Sequence, residues 1–330
     1  MARIVVEELV KTYRIAARKP GLWGALTGLV KREHREVRAL DGVSFAIEAG
    51  ELVGCIGPNG AGKSTTIKVL SGILVPDSGR CEVWGRVPWA DRVSHVARIG
   101  VVFGQRTQLW WDLPVVESFE LLRDIYSVEP SRFAEALAEL VALLDLGPLL
   151  DVPVRQLSLG QRMRCDLAAA LLHGPELIFL DEPTIGLDAT SKLAVRDFIL
   201  RLNRERGVTV ILTTHDMDDV EALCERVMVI GAGRILSDGT LGELRRRAGQ
   251  QRRLVVELEA AAEVDLEGAQ VVSVKGPVVE LSFDPRVIST AALIEGVMAR
   301  HGVRDLTVKD APIDAIIARL YAANAGEAGP

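Results

Sequence analysis

The segment GPNGAGKST, residues 57–65, constrains this chain more than any other feature. A short apolar run, LVGCI, leads into it, and IKVLSGIL continues it with helical spacing. Strand, glycine loop and helix in that order make a backbone cradle for phosphate. Gly57, Gly60 and Gly62 let the chain curl around Pro58, Asn59 and Ala61, so that amide hydrogens converge on one anion. The helix that follows points its N-terminus at the same charge. Lys63 adds a cation for β- and γ-phosphates. The Ser64 hydroxyl, with Thr65 beside it, is placed to ligate magnesium.

A pair of carboxylates completes the chemistry. ELIFLDEP ends an apolar strand on Asp181 and Glu182. Asp181 is expected to hold magnesium, directly or through water. Glu182 is expected to polarise an attacking water as general base. A lone Asp-Glu pair at a strand end is usually just solvated, but here it follows a glycine loop in an alternating pattern. RIVVEELVKTY, RIGVVFG and VTVILTTH read as further strands, and VSFAIEAGELVGCIG as a hairpin entering a buried strand. Residues 112–165 read as mostly helical. Strands alternating with helices predict an α/β core with a largely parallel sheet and an inserted helical subdomain. These features place the chain in the P-loop NTPase class.

A basic stretch, residues 244–253, reads as a linker or a terminal helix after a first domain of residues 1–243. Beyond it, residues 254–325 read as a small α+β domain. Its strands are LVVELE, AQVVSVKG and PVVELSF, and two helical segments follow. Residues 326–330 read as a disordered tail. Within residues 14–38, Leu22, Trp23, Leu26, Leu29 and Val30 recur at helical spacing between basic flanks. They predict a short amphipathic helix, packed on the domain or turned to a membrane surface or partner.

The balance of 39 basic and 45 acidic residues leaves a net charge of -6, which argues against a general nucleic-acid coat. Cys55, Cys81, Cys165 and Cys224 form no CxxC pair, and no histidine stands at ligand spacing from them. They read as buried or half-buried thiols rather than a metal site. Glu7 and Glu8 stand where a signal peptide needs its apolar core. No uncharged apolar run reaches the roughly 18 to 20 residues a bilayer span needs. The chain is expected to be soluble by itself.

LSLGQRMRCDLAAALL, residues 157–172, opens a helix just before the carboxylate strand. It resembles the signature motif of ABC ATPases, and residues 3–243 resemble their nucleotide-binding domain, a RecA-like core with an antiparallel β subdomain. The resemblance implies a set of roles, with motifs in the family's order. Tyr13 matches the aromatic residue that stacks on adenine. Gln105 matches the glutamine that senses magnesium and the lytic water. Ser158, Gly160 and Gln161 match the signature, and Asp188 closes the loop after the carboxylates at Gly186 and Leu187. His215 matches the switch histidine. One departure stands out: the usual signature is LSGGQ, and Leu159 replaces its first glycine.

The family implies that two such domains pair head to tail, as a homodimer or with a paralogous ATPase. Each ATP, with Mg2+, then lies between Lys63, Ser64 and Asp181 of one chain and Ser158, Gly160, Gln161 and Asp188 of the other. It also implies separate polytopic permease subunits, with the chain held against the inner face of the cytoplasmic membrane. Trp110 and Trp111 lie where the family docks that subunit, although a pair of tryptophans is also a common packing element. The insertion, FGQRTQLWWDLP and the C-terminal appendage together resemble multidrug or viologen-type exporter ATPases. The cargo is not legible, because the sites that choose it lie in another chain. The alternative is a soluble ABC ATPase acting on ribosomes or DNA. One glycine loop, the absence of sustained heptads and the acidic balance speak against it.

Overall fold

The computed structural model describes residues 4–16, 34–104, 106–247, 251–262, 264–310 and 313–327. It forms two units, Met1–Asp238 and Gly239–Pro330.

The strands of the first unit are β1 (Ile4–Ala16), β2 (His34–Ile47), β3 (Leu52–Ile56), β4 (Ser78–Val83), β5 (Ile99–Phe103), β6 (Leu177–Asp181), β7 (Thr209–Thr214), β8 (Arg226–Gly231) and β9 (Arg234–Thr240). Three of them pair antiparallel in the order β2-β1-β4. The other six form one sheet in the order β5-β6-β7-β3-β8-β9. Within it β5, β6, β7, β3 and β8 run parallel. All five residues of β3 and all six of β7 are buried. A parallel strand covered on both faces is near-continuously apolar, with only small polar residues such as Thr209, Thr213 and Thr214 of β7 admitted, and that is why these segments lack alternation.

This topology gathers the site. The ends of β6, β7 and β3 are neighbours, and each ends in a motif: Asp181, the turn to His215, and the glycine loop. In open parallel sheets ligands bind outside those carboxyl ends. The helix Lys63–Leu70 anchors the loop by burying Ile67, Val69 and Leu70 in the core between the two sheets.

Some expectations are corrected. Residues 43–57 do not form a hairpin, because β2 and β3 belong to different sheets. The turn between them hands the chain from the antiparallel sheet to the parallel one. The insertion at 14–38 begins and ends as paired strand, with Arg14 opposite Glu36 and Ala16 opposite His34. Its expected amphipathic helix, Leu22 to Val30, lies outside the described residues.

The helical block comprises Val115–Ile125, Pro130–Leu144 and Leu159–Ala169, with two 3-10 turns, Gly147–Leu149 and Val154–Gln156, between the last two. All four cysteines are buried, and burial pushes each thiol up to about 12. His95 and His173 hold the carbonyl oxygens of Leu70 and Ile99, a packing role.

In the second unit the helix Leu241–Arg247 precedes β10 (Arg252–Leu258), β11 (Ala269–Lys275) and β12 (Val278–Phe283). Of the two readings of the stretch 244–253, its start is the helical one, residues 244–247 lying in this helix. Leu244 is buried, and Arg253 pairs with Glu280 across the sheet. The helix Thr290–Arg300, β13 (Val303–Asp310) and the helix Ile313–Glu327 complete the unit. Its antiparallel sheet runs β11-β12-β10-β13. Leu254, Val256 and Leu258 alternate inward with Val279, Leu281 and Phe283, and Leu293 and Val297 of a helix pack onto them. β13 escapes the sequence reading because VRDLTVKD is an edge strand with charges on both faces. The last helix includes Glu327, so residues 326 and 327 are not tail.

Candidate active site

A cleft of about 840 Å³ opens over the glycine loop. Asn59, Gly60, Ala61, Gly62, Lys63, Ser64 and Thr65 line it, and Asp181, Glu182 and His215 face them. The loop is built to tight clearances. A Cβ on Gly57 would lie 2.3 Å from the Ile230 carbonyl oxygen, and one on Gly62 would lie 2.6 Å from that of Ala39. Gly62 also takes φ 116, a left-handed value open to glycine. Lys63 is only 5% exposed. Its Nζ donates to the carbonyl oxygens of Gly57 at 2.6 Å and Pro58 at 3.2 Å. The loop thus folds around its own cation.

Ser64 Oγ donates to Asp181 Oδ1 at 3.1 Å. Magnesium bonds of 2.0–2.1 Å at right angles put neighbouring ligand oxygens about 2.9 Å apart. This all-oxygen pair therefore fits adjacent positions around a hard cation. Glu182 sits at φ 55, a left-handed backbone that few non-glycine residues adopt. Its amide donates to the Thr213 carbonyl at 2.9 Å. His215 Nδ1 lies 3.2 Å from Glu182 Oε1. Backbone strain at a residue flanked by a second carboxylate and an imidazole is characteristic of functional sites.

Other candidates lie off the cleft. Tyr13 does not line it, but stands opposite Val37, which does. Opposed residues of an antiparallel pair share a face. Gly57 and Pro58 shape the loop from behind. Gln105 lies outside the described residues. Ser158, Gly160, Gln161 and Asp188 are not among the lining residues. Ser158 caps the helix Leu159–Ala169 in a reciprocal box with Gln161, at 2.9 and 3.3 Å. Asp188 caps the helix Ala189–Arg206 through Ser191, whose hydrogen bonds hold its carboxyl below the usual range. A Cβ on Gly160 would lie 2.5 Å from Ser191 Oγ, so the two caps are nested. Leu159 leans over the next loop, with its Cδ2 2.8 Å from where a Gly186 Cβ would be.

Sequence reasoning missed Val37, Ala39, Lys68, Ile73, Phe103, Gly104, Arg106 and Ile185 among the lining residues. Most are ordinary residues next to a motif and carry no signal of their own. It also missed Asp166, whose signal was available: an acidic residue inside the apolar run CDLAAALL.

Asp166 is 4% exposed, and burial pushes its carboxyl up from 3.8 to about 6. The folded chain therefore holds this proton more tightly than the unfolded chain. Its stability contribution is present below the unfolded value and lost as pH rises through about 6. At neutral pH the cost approaches about 3 kcal/mol, from roughly two pK units at 1.36 kcal/mol each. Asp166→Asn is accordingly expected to stabilise the protein at pH 7.5 by up to about that amount, with the gain shrinking as pH falls through 6. Urea unfolding of both forms between pH 8 and pH 5 checks this; a pH-independent difference would refute it.

The sequence profile of the family described as ABC transporter matches residues 40–185. Daunorubicin resistance ATP-binding protein DrrA3 of Streptomyces coeruleorubidus is 38% identical over 230 residues, 70% of this chain and 72% of that protein. Linearmycin resistance ATP-binding protein LnrL of Bacillus subtilis is 34% identical, covering 67% of this chain and 70% of that protein. Among solved structures, the ATP-binding cassette MJ0796, a dimer in a post-hydrolysis state bound to ADP and Pi, superposes with a TM-score of 0.59 at 26% identity. That match covers 72% of this chain and 98% of the cassette.

Proposed function

This chain belongs to the ATP-binding proteins of ABC transporters, and from that premise we propose that it powers export across the cytoplasmic membrane through a separate permease. It is an ATP hydrolase of that family. The observation that carries the reading is the composition of the cleft. It unites Lys63, Ser64, Asp181, Glu182 and His215, while the signature residues Ser158 and Gly160 stand elsewhere on the same chain. Half a site of each kind is what a head-to-tail pair requires, either with a second copy or with a paralogous ATPase.

In this mechanism Lys63 exchanges its two loop carbonyls for β- and γ-phosphate oxygens. Ser64 and Asp181, with Gln105, would hold magnesium, which would shield the phosphate charge. Tyr13 stacks on the adenine. Glu182 takes the proton of a water that adds to the γ-phosphorus as the bridging P–O bond breaks and ADP departs. His215 steadies Glu182 and meets the γ-phosphate. Ser158, Gly160, Gln161 and Asp188 of the partner close over the nucleotide. Loss of the γ-phosphate removes the contacts that join the halves.

Among the described residues no helix is long and apolar enough to cross a membrane. In this reading the permease is a second polypeptide, and the chain works at the inner membrane face. The resistance proteins it resembles favour export, with cargo chosen by the permease. The test is affinity purification of the tagged chain from its native host in mild detergent. A stoichiometric polytopic membrane protein is the expected companion. Ribosomal proteins or DNA factors in its place would overturn the transporter reading and leave the ATPase standing.

A further inference from the structure

Asp166 lies in the helix Leu159–Ala169, and its side-chain hydrogen-bond partners, Thr107 and Gln108, lie in one loop. Its Oδ1 accepts from Thr107 Oγ1 at 2.8 Å and from the Gln108 amide at 3.1 Å. Its carbonyl oxygen accepts from Gln108 Nε2 at 3.0 Å. One helical turn earlier, the Arg162 guanidinium sits 5.7 Å from the ring centre of Trp111, within cation–π range. Residues 162 and 166 share a helix face, and they meet the loop at two points about equally far apart along the chain.

The same loop reaches the cleft at its other end. Gly104 donates its amide to the Asp181 carbonyl at 2.8 Å, and a Cβ there would lie 2.0 Å from the Glu182 carbonyl oxygen. Gly104 and Arg106 line the cleft, whereas Trp110 and Trp111 are exposed. Gly104 thus touches the carboxylate strand, and segment 106–112 touches the signature helix and the outer surface in succession. A buried carboxylate costs stability, as derived above. Such groups are retained where they fix one arrangement among several.

We propose that Asp166 is a positioning residue for hydrolysis, pinning segment 106–112 to the signature helix so that the tryptophan end, the cleft wall at Arg106 and the signature move as one body. The inference rests on reading the cleft as the ATP site, and deepens it by adding an internal coupling. Thr107 is the pin's other half.

The test is steady-state ATP hydrolysis by the full chain, with melting temperatures measured alongside. Asp166→Ala and Thr107→Val are each expected to lower kcat about tenfold with KM for ATP within twofold. The double variant is expected to be no worse than Asp166→Ala, since both remove one link. Asp166→Asn keeps an acceptor oxygen and is expected to restore most of kcat. Wild-type kcat in Asp166→Ala and Thr107→Val overturns the proposal alone. A parallel fall of kcat, ATP affinity and melting temperature in both variants overturns it too, because the role is then only structural. Absence of hydrolysis in the unsubstituted chain overturns the cleft reading along with the proposal.

Discussion

Glu182→Gln is expected to bind ATP as the unsubstituted chain does and to hydrolyse it roughly a hundredfold more slowly or worse, as for the loss of a general base. The glutamine is nearly isosteric and keeps an oxygen for His215 Nδ1, which lies 3.2 Å from the carboxylate. It also inherits the same backbone, at φ 55, at a similar conformational cost. What it lacks is basicity. Asp181, one residue earlier, is engaged with Ser64 Oγ, 3.1 Å from its Oδ1, and with Thr213 Oγ1 rather than with His215. Nucleotide titration and phosphate release measured on one preparation decide the matter. Near-normal turnover would remove Glu182 from its role. Loss of binding as well as turnover would mean that it holds the nucleotide rather than activates water.

Lys63→Ala is expected to fail one step earlier, at binding. The ammonium is buried and already bonded to two carbonyl oxygens of its own loop. A triphosphate offers it charged acceptors in their place, and such charge-assisted bonds are worth about 1.5–3 kcal/mol. The alanine variant should therefore bind ATP on the order of ten- to a hundredfold more weakly, at 1.4 kcal/mol per tenfold. Isothermal titration checks it, and an unchanged Kd would count against the loop as the phosphate cradle. Together the two variants separate holding the nucleotide from cleaving it.

The cleft residues that sequence reasoning found are those whose chemistry forces a pattern. Glycines at fixed intervals before a lysine, and an acidic pair ending an apolar strand, leave few alternatives. What it missed depends on contacts across the chain. β2 and β3 looked like a hairpin because local alternation cannot say that two consecutive strands enter different sheets. β13 went unread because charges on both faces of VRDLTVKD mask the few apolar residues, such as Leu306, that it turns to the core. The run of arginines near residue 245 left a linker open beside a helix because charge suggested solvent, whereas Leu244 is buried and Arg253 meets Glu280. Asp166 illustrates the limit well. Its oddity among apolar neighbours is visible in the sequence, but its partners, Thr107 and Gln108, are nearly sixty residues away in the chain.

The left-handed backbone at Glu182 constrains which descendants of this sequence can survive. Position 182 is screened twice, once for what its side chain can do with a proton and once for whether its main chain can turn the corner. With Gly104 pressed against its carbonyl, the corner has no room to relax. β-Branched residues fail the second screen whatever their chemistry, because they tolerate positive φ poorly. Asparagine, aspartate and glycine pass it most easily. A lineage that lost hydrolysis but kept nucleotide-driven closure would therefore be expected to drift at this position toward short polar residues or glycine, and rarely toward valine, isoleucine or threonine.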